Sequence, residues 1–233
     1  MTAPLAQQVG AQKRKPVVKT HIMERARDRA AASGVRSVIV ATNTGASVLA
    51  AQEAFGHGYD FFAVGNPATS HERGLCLHDG ISESKRTELE AAGIRVVLHD
   101  QTLFQGQPKC EAATDQHKAV RRAYARRFHR SDELPPGSAD LVDILFSTLN
   151  EFFGDGPRVC LEIALAAADS GQLPLGADCI SIATPSSYCD LPDAAVVLHP
   201  VKSQELFSMQ FRIKDLLLCP TPNDVWFSNG ELP

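Results

Sequence analysis

In a chain of 233 residues, one turn gathers hydroxyls, an amide and a glycine where a strand hands over to a helix. Val38 to Ala41 has the apolar character of a buried strand and runs into Thr42-Asn43-Thr44-Gly45-Ala46-Ser47, and helix-forming residues continue from Ala46 to Phe55. The N–H groups of a first helical turn have no partner within their helix, and the helix dipole adds positive potential there. With hydroxyls alongside, this is an anion cup of the kind that takes phosphate. Gly45 permits close backbone approach, while Thr42, Thr44 and Ser47, with Asn43 between them, can serve phosphate oxygens without a cation. Plain capping of the helix by Thr44 accounts for the same residues equally well.

A second group of reactive side chains lies further on. Glu162 and Asp169 stand seven residues apart, hence on one face of the otherwise apolar helical stretch Cys160 to Ala168. A buried carboxylate needs a partner, and Arg158, four residues before Glu162, is the nearest on that face. Asp169 near a helix C-terminus opposes the dipole. Both acids can tie neighbouring loops through backbone N–H groups; the sharper reading makes them ligand contacts or proton-transfer groups. Cys160 would be a nucleophile only with a base beside it, and as a small core thiol it needs none. His71, His78, Asp79, His99 and Asp100 occupy loops at spacings that fit no metal site, so no metal is expected.

Several chemistries are missing from the text of the chain. There is no phosphate-binding G-x-x-x-x-G-K-[ST] loop, no G-x-S-x-G elbow and no H-E-x-x-H, and Gly56-His57-Gly58 precedes a strand instead of following one. Lys plus Arg number 23 against 27 Asp plus Glu, a formal charge of −4 that argues against bulk nucleic-acid binding. Lys118, Arg121, Arg122, Arg126, Arg127 and Arg130 form a local basic helix, best read as a solvated face. No stretch has the length and apolarity of a membrane span, and six scattered cysteines without a Cys-x-x-Cys pair suit reduced thiols, so a cytoplasmic protein with no membrane partner is expected.

The elements that must position these groups alternate. A helix from Val18 to Ser33 ends at Gly34, and strands are expected at Val35 to Ala41, Phe61 to Val64 and Ile94 to Leu98, with a helix capped by Ser82 between the last two. Helices follow at Glu111 to Arg130, Ser138 to Phe153 and Pro157 to Asp169, then strands at Cys179 to Ala183, Ala194 to Leu198 and Leu206 to Ile213. This order predicts an α/β fold with crossover helices on a mostly parallel sheet. Residues 1–17 read as a flexible arm, 18–218 as a single domain, and 219–233 as a tail whose Val225-Trp226-Phe227 docks on the body or on a neighbouring subunit of a homo-oligomer.

The segment Val38-Ile39-Val40-Ala41-Thr42-Asn43-Thr44-Gly45 resembles the strand and Ser/Thr-Gly loop of the pyruvate kinase C-terminal domain, and Val159-Cys160-Leu161-Glu162-Ile163-Ala164 through Ala168-Asp169-Ser170-Gly171 is similar to a second motif of the stand-alone pyruvate kinase C-terminal-domain-like family. The order of elements from about Lys19 to Leu218 fits as well. The resemblance implies a three-layer α/β/α domain without kinase chemistry, binding a small phosphorylated ligand such as a sugar phosphate or flavin mononucleotide (FMN) at the carboxyl edge of the sheet. Where the family carries a Gly-rich loop, this chain has Thr184-Pro185-Ser186-Ser187-Tyr188-Cys189, so Ser186 and Ser187 become the expected phosphate partners across the cup; Gly65-Asn66-Pro67-Ala68 also diverges. A sensing or carrier role follows by analogy. The alternatives are an enzyme acting on a phosphorylated metabolite through Glu162, Asp169 or Cys160, and an assembly subunit without ligand.

Overall fold

Strand β1 (Ser37–Ala41) shows why the chain layers as it does: Val38 and Val40 point to one side and Ile39 to the other, and all three are buried. Such a strand needs cover on both faces. In the computed structural model, which describes residues 17–68, 80–99, 115–133, 148–149, 152–183, 192 and 194–218, both faces are covered. Helices α1 (Val17–Ser33), α2 (Ala46–Phe55) and α3 (Glu83–Ala91) pack on the Val38 face, through Ile22, Ala26, Val48, Phe55 and Leu89. Helix α5 (Asp155–Asp169) packs on the Ile39 face through Cys160, Ile163 and Ala167. Helix α4 (Asp115–Tyr124) lies against α5, its Val120 meeting Leu161 and Leu165.

The sheet has six strands in the order β3-β2-β1-β4-β5-β6, with β2 at Asp60–Gly65, β3 at Arg95–Leu98, β4 at Cys179–Ala183, β5 at Ala194–His199 and β6 at Arg212–Leu218. The β3-β2-β1-β4 pairings are parallel and the last two antiparallel. This is a three-layer α/β fold with a mostly parallel sheet. Edge strand β6 is tied to α1 by Arg29 to Asp215 at 2.6 Å and by Arg25 Nη1 donating to the Leu218 carbonyl. At the entry to β4, Asp178 bridges His199 of β5 and Lys214 of β6. Burial pushes the Asp178 carboxyl up, but these two partners outweigh it and hold the group below its ordinary value.

Helix α2 spans the residues its composition predicts, Ser82 caps α3 by accepting from Lys85 N at 3.3 Å, and Gly34 takes φ 68 after α1. The expected strand at Leu206 to Ile213 is corrected. Ser203–Glu205 forms a 3₁₀ turn, Leu206 is buried with Val201 against α5, and the strand starts at Arg212. Alternation alone favoured a strand there, but α4 offers Leu206 and Phe207 a better home; the Tyr124 and Phe207 rings meet edge to face at 5.1 Å. The expected helix through Arg130 stays α-helical to Tyr124 and continues as a π-helical turn, Ala125–His129. The arm before Val17, most of Ser138 to Phe153, the histidines at 71 and 78, Asp79, Asp100, Ser186, Ser187 and the tail with Val225-Trp226-Phe227 lie outside the described residues.

Candidate functional site

The loop between β1 and α2 is built by its own side chains. Thr42 is buried, and its Oγ1 accepts from Gly45 N at 2.9 Å; Thr44 Oγ1 accepts from Ala46 N at 3.3 Å. Asn43 Oδ1 reaches across to accept from Asn66 N at 3.1 Å, so it joins the loop after β1 to the loop after β2. Hydroxyls used as acceptors keep their own O–H to donate. Thr44 is exposed and Ser47 half-buried on the first turn of α2, so their hydroxyls remain available to a solute. The structure thus places Thr42, Asn43, Thr44, Gly45 and Ser47 in one loop at the carboxyl end of β1; the expected capping by Thr44 is corrected, since Gly45 is the N-cap residue of α2 and brings no side-chain cap.

Gly45 also has a part in the packing of the fold. It sits at φ 84, the left-handed region that costs a residue with a Cβ about 1–2 kcal/mol. A Cβ there would also stand 3.1 Å from Lys85 Cδ and 3.2 Å from Leu89 Cδ2, both on α3. The glycine therefore makes room for α3, and in doing so it lays the stem of Lys85 against the loop. The Lys85 ammonium pairs with Glu88 on the surface. Sequence reasoning missed this cation because nothing in the spacing of residues 45 and 85 announces their contact.

Glycines also close the rest of this edge. At Gly65 a Cβ would fall 2.0 Å from the Thr42 carbonyl oxygen, and at Gly80 it would fall 2.1 Å from that of Asn66. The backbone ladder runs on past the strands: Thr42 N donates to Val64 O, Ile81 N to Asn66 O and His99 N to Gly65 O, each at 2.8–2.9 Å. These bonds join the start of the loop after β1, Asn66 after β2, Ile81 before α3 and His99 after β3 along one edge of the sheet. The divergent Gly65-Asn66-Pro67 stretch is part of it.

Strand order defines what that edge faces. From β1 the chain winds through α2 to β2 and through α3 to β3 on one side, then returns by α5 to β4 on the other side of β1. The crossover from β1 to β2 and the one that enters β4 pass over opposite faces of the sheet, so strand order reverses between β1 and β4, the place where ligands bind in open α/β sheets. The β1–α2 loop stands on one side of this point. Ala183 ends β4 on the other, and Ser186 and Ser187 follow it in sequence.

The acids of α5 are separated by their surroundings. Glu162 is 3% exposed, and its Oε2 accepts from Arg158 Nη1 at 3.3 Å, while the same guanidinium donates from Nε to Asp155 at 3.1 Å. Burial pushes the Glu162 carboxyl up to about 7; Arg158 pulls against this and Asp155 adds to it. Asp169 is exposed and binds the turn after β5: Oδ1 accepts from Ser203 N at 2.9 Å and Oδ2 from Ser203 Oγ at 2.6 Å. That is the loop-tying role, made by Asp169 and not by Glu162. Cys160 is fully buried, its thiol 3.2 Å from the Ser181 carbonyl and the Ser181 hydroxyl 2.7 Å from the Cys160 carbonyl. A thiol so enclosed is a packing group.

The remaining charged features stay apart from the loop. Arg122, Arg126, Arg127 and Arg130 are exposed on the α4 and π-helical stretch, with Arg126 paired to Asp132. Among the described residues no cluster of His, Cys, Asp and Glu could hold a metal ion, and no helix is long and apolar enough to cross a membrane. Compared with known proteins, the chain matches no family model and no curated sequence.

Proposed function

We propose that this chain binds a small phosphorylated ligand, a sugar phosphate or a nucleotide such as FMN, in the crevice at the carboxyl ends of β1 and β4. The role is that of a sensor or carrier in the cytoplasm, as its resemblance to the pyruvate kinase C-terminal-domain-like family implies, and that last step is analogy between folds. One observation carries the reading: the hydroxyl-rich Thr42–Ser47 loop, singled out for its residue types, lies at the topological switch point of the sheet. Thr44 and Ser47 supply hydroxyls and the first turn of α2 supplies N–H groups, while Lys85 lays its stem beside Gly45 and pairs its ammonium with Glu88. Ser186 and Ser187 are the proposed partners from the β4 side. The basic helix is left as a solvated face, with no nucleic acid as ligand.

A thermal-shift screen with sugar phosphates and FMN tests this. A ligand at one hundred times its Kd adds about 2.7 kcal/mol to stability, and a flat response across the set points to the assembly subunit instead. Ser47→Asp is the informative variant. An acid in the first turn of α2 suits the helix dipole, so the fold is kept while an anion is repelled, and unchanged affinity would move the site elsewhere.

The enzyme reading has one observation in its favour, the Glu162 carboxyl held at about 7, where a group can both give and take a proton. Turnover of a bound phosphorylated compound that survives in Glu162→Gln would remove this residue from any mechanism.

A further inference from the structure

A cavity of about 390 Å³ opens on the α5 side of the sheet, beside edge strand β3 and across the sheet from α2. Val97 and Leu98 of β3, Ala119 of α4 and Ala166 of α5 give it an apolar wall. Asp169 and Ser170, at the C-terminal end of α5, and His99, just after β3, give it a polar one. Its size falls among sites for small organic molecules, roughly 300–1,000 Å³.

Electrostatics select the sign of a guest. The last turn of α5 points its carbonyls toward this end and carries no basic residue, so the negative pole of the helix and the Asp169 carboxylate lie together. Each Asp169 oxygen accepts one hydrogen bond, both from Ser203, and each keeps a further lone pair. A carboxylate at that pole is repelled by it, and a cation between them is attracted by both. Arg121 and Arg122 belong to the next turn of α4 and do not line the cavity; among the described residues that do, His99 is the other titratable side chain beside Asp169.

We propose that this cavity binds a small organic cation, an ammonium on a compact apolar body. The amine meets Asp169 at the end of α5, and the body lies against Leu98, Ala119 and Ala166. The site is opposite in charge to the phosphate crevice and lies on the other face of the sheet, so neither proposal depends on the other.

Phenethylamine titrated into the full chain, followed by backbone NMR shifts, is the test, with 2-phenylethanol as the uncharged control. The expected result is saturable shifts centred on Leu98, Ala119 and Asp169, with the amine binding about tenfold more tightly than the alcohol. Ala119→Leu fills the cavity from a half-buried position and should abolish both. In Asp169→Asn the preference for the amine should disappear. Equal affinity for amine and alcohol in the parent chain, no saturable shift through the millimolar range, or binding that persists in Ala119→Leu would each overturn the assignment. If Asp169→Asn fails to fold, Ala119→Leu and the alcohol control still decide the matter.

Discussion

The middle and the C-terminal end of α5 carry the same chemistry in opposite circumstances. Glu162 is sealed from water with a guanidinium shared between it and Asp155, and its carboxyl rises to about 7. Asp169, the last residue, is exposed and receives an N–H and an O–H from Ser203. Seven residues of helix place them on one face, yet one holds a proton near neutrality and the other is a fixed acceptor that ties down a turn. Residue type and spacing chose the face; desolvation and partners chose the behaviour.

Arg158→Ala breaks the contrast most severely, because it leaves Glu162 buried with no cation. Denaturant unfolding at pH 8.5 should show a loss of roughly 3 kcal/mol, shrinking at pH 5 where Glu162 takes up a proton; an equal loss at both pH values would mean that Arg158 acts by packing alone. Glu162→Gln sharpens it. The folded carboxyl titrates at about 7 and the unfolded one at 4.5, so between those values the folded state binds the extra proton. The wild-type chain should therefore lose stability as pH rises from 4.5 through 7, by up to about 3 kcal/mol, and then level off. In Glu162→Gln that slope should vanish, leaving the variant more stable than the parent at pH 8.5; a parallel profile would place the titrating group elsewhere. Asp169→Asn is the mildest change. An amide oxygen still accepts from Ser203 N but loses the charge assistance to the hydroxyl, a cost of about 1 kcal/mol in denaturant unfolding. No loss in the variant would mean that other contacts hold the Ser203 turn.

Much of the scaffold was legible because its signals are local. Ser82 before Glu83, Gly34 after Ser33 and the Val38-Ile39-Val40 run are read within a turn or two of chain, and the structure keeps them. Leu206 to Ile213 was misread because its alternation is real while its partners Val120 of α4 and Leu161 and Leu165 of α5 are distant in sequence. The candidate loop was half legible. Its hydroxyls and glycine stand out in Thr42 to Ser47, but the contact of Gly45 with Lys85 and Leu89, and the bond from Asn66 N to Asn43, join residues more than twenty apart. The cavity beside β3 was not legible, since its walls come from three separate elements.

By itself the sequence determined the alternation of elements, the buried character of β1, the capping of α3 by Ser82 and the pairing of Arg158 with Glu162, all of which act over one or two turns of chain. Only the tertiary structure decided that β4 returns beside β1, placing the hydroxyl loop at a switch point, that Gly45 yields its space to α3, and that Glu162 is dry while Asp169 is wet. Solvent access is a property of all the neighbours a group acquires, and strand order assembles those neighbours from remote parts of the chain.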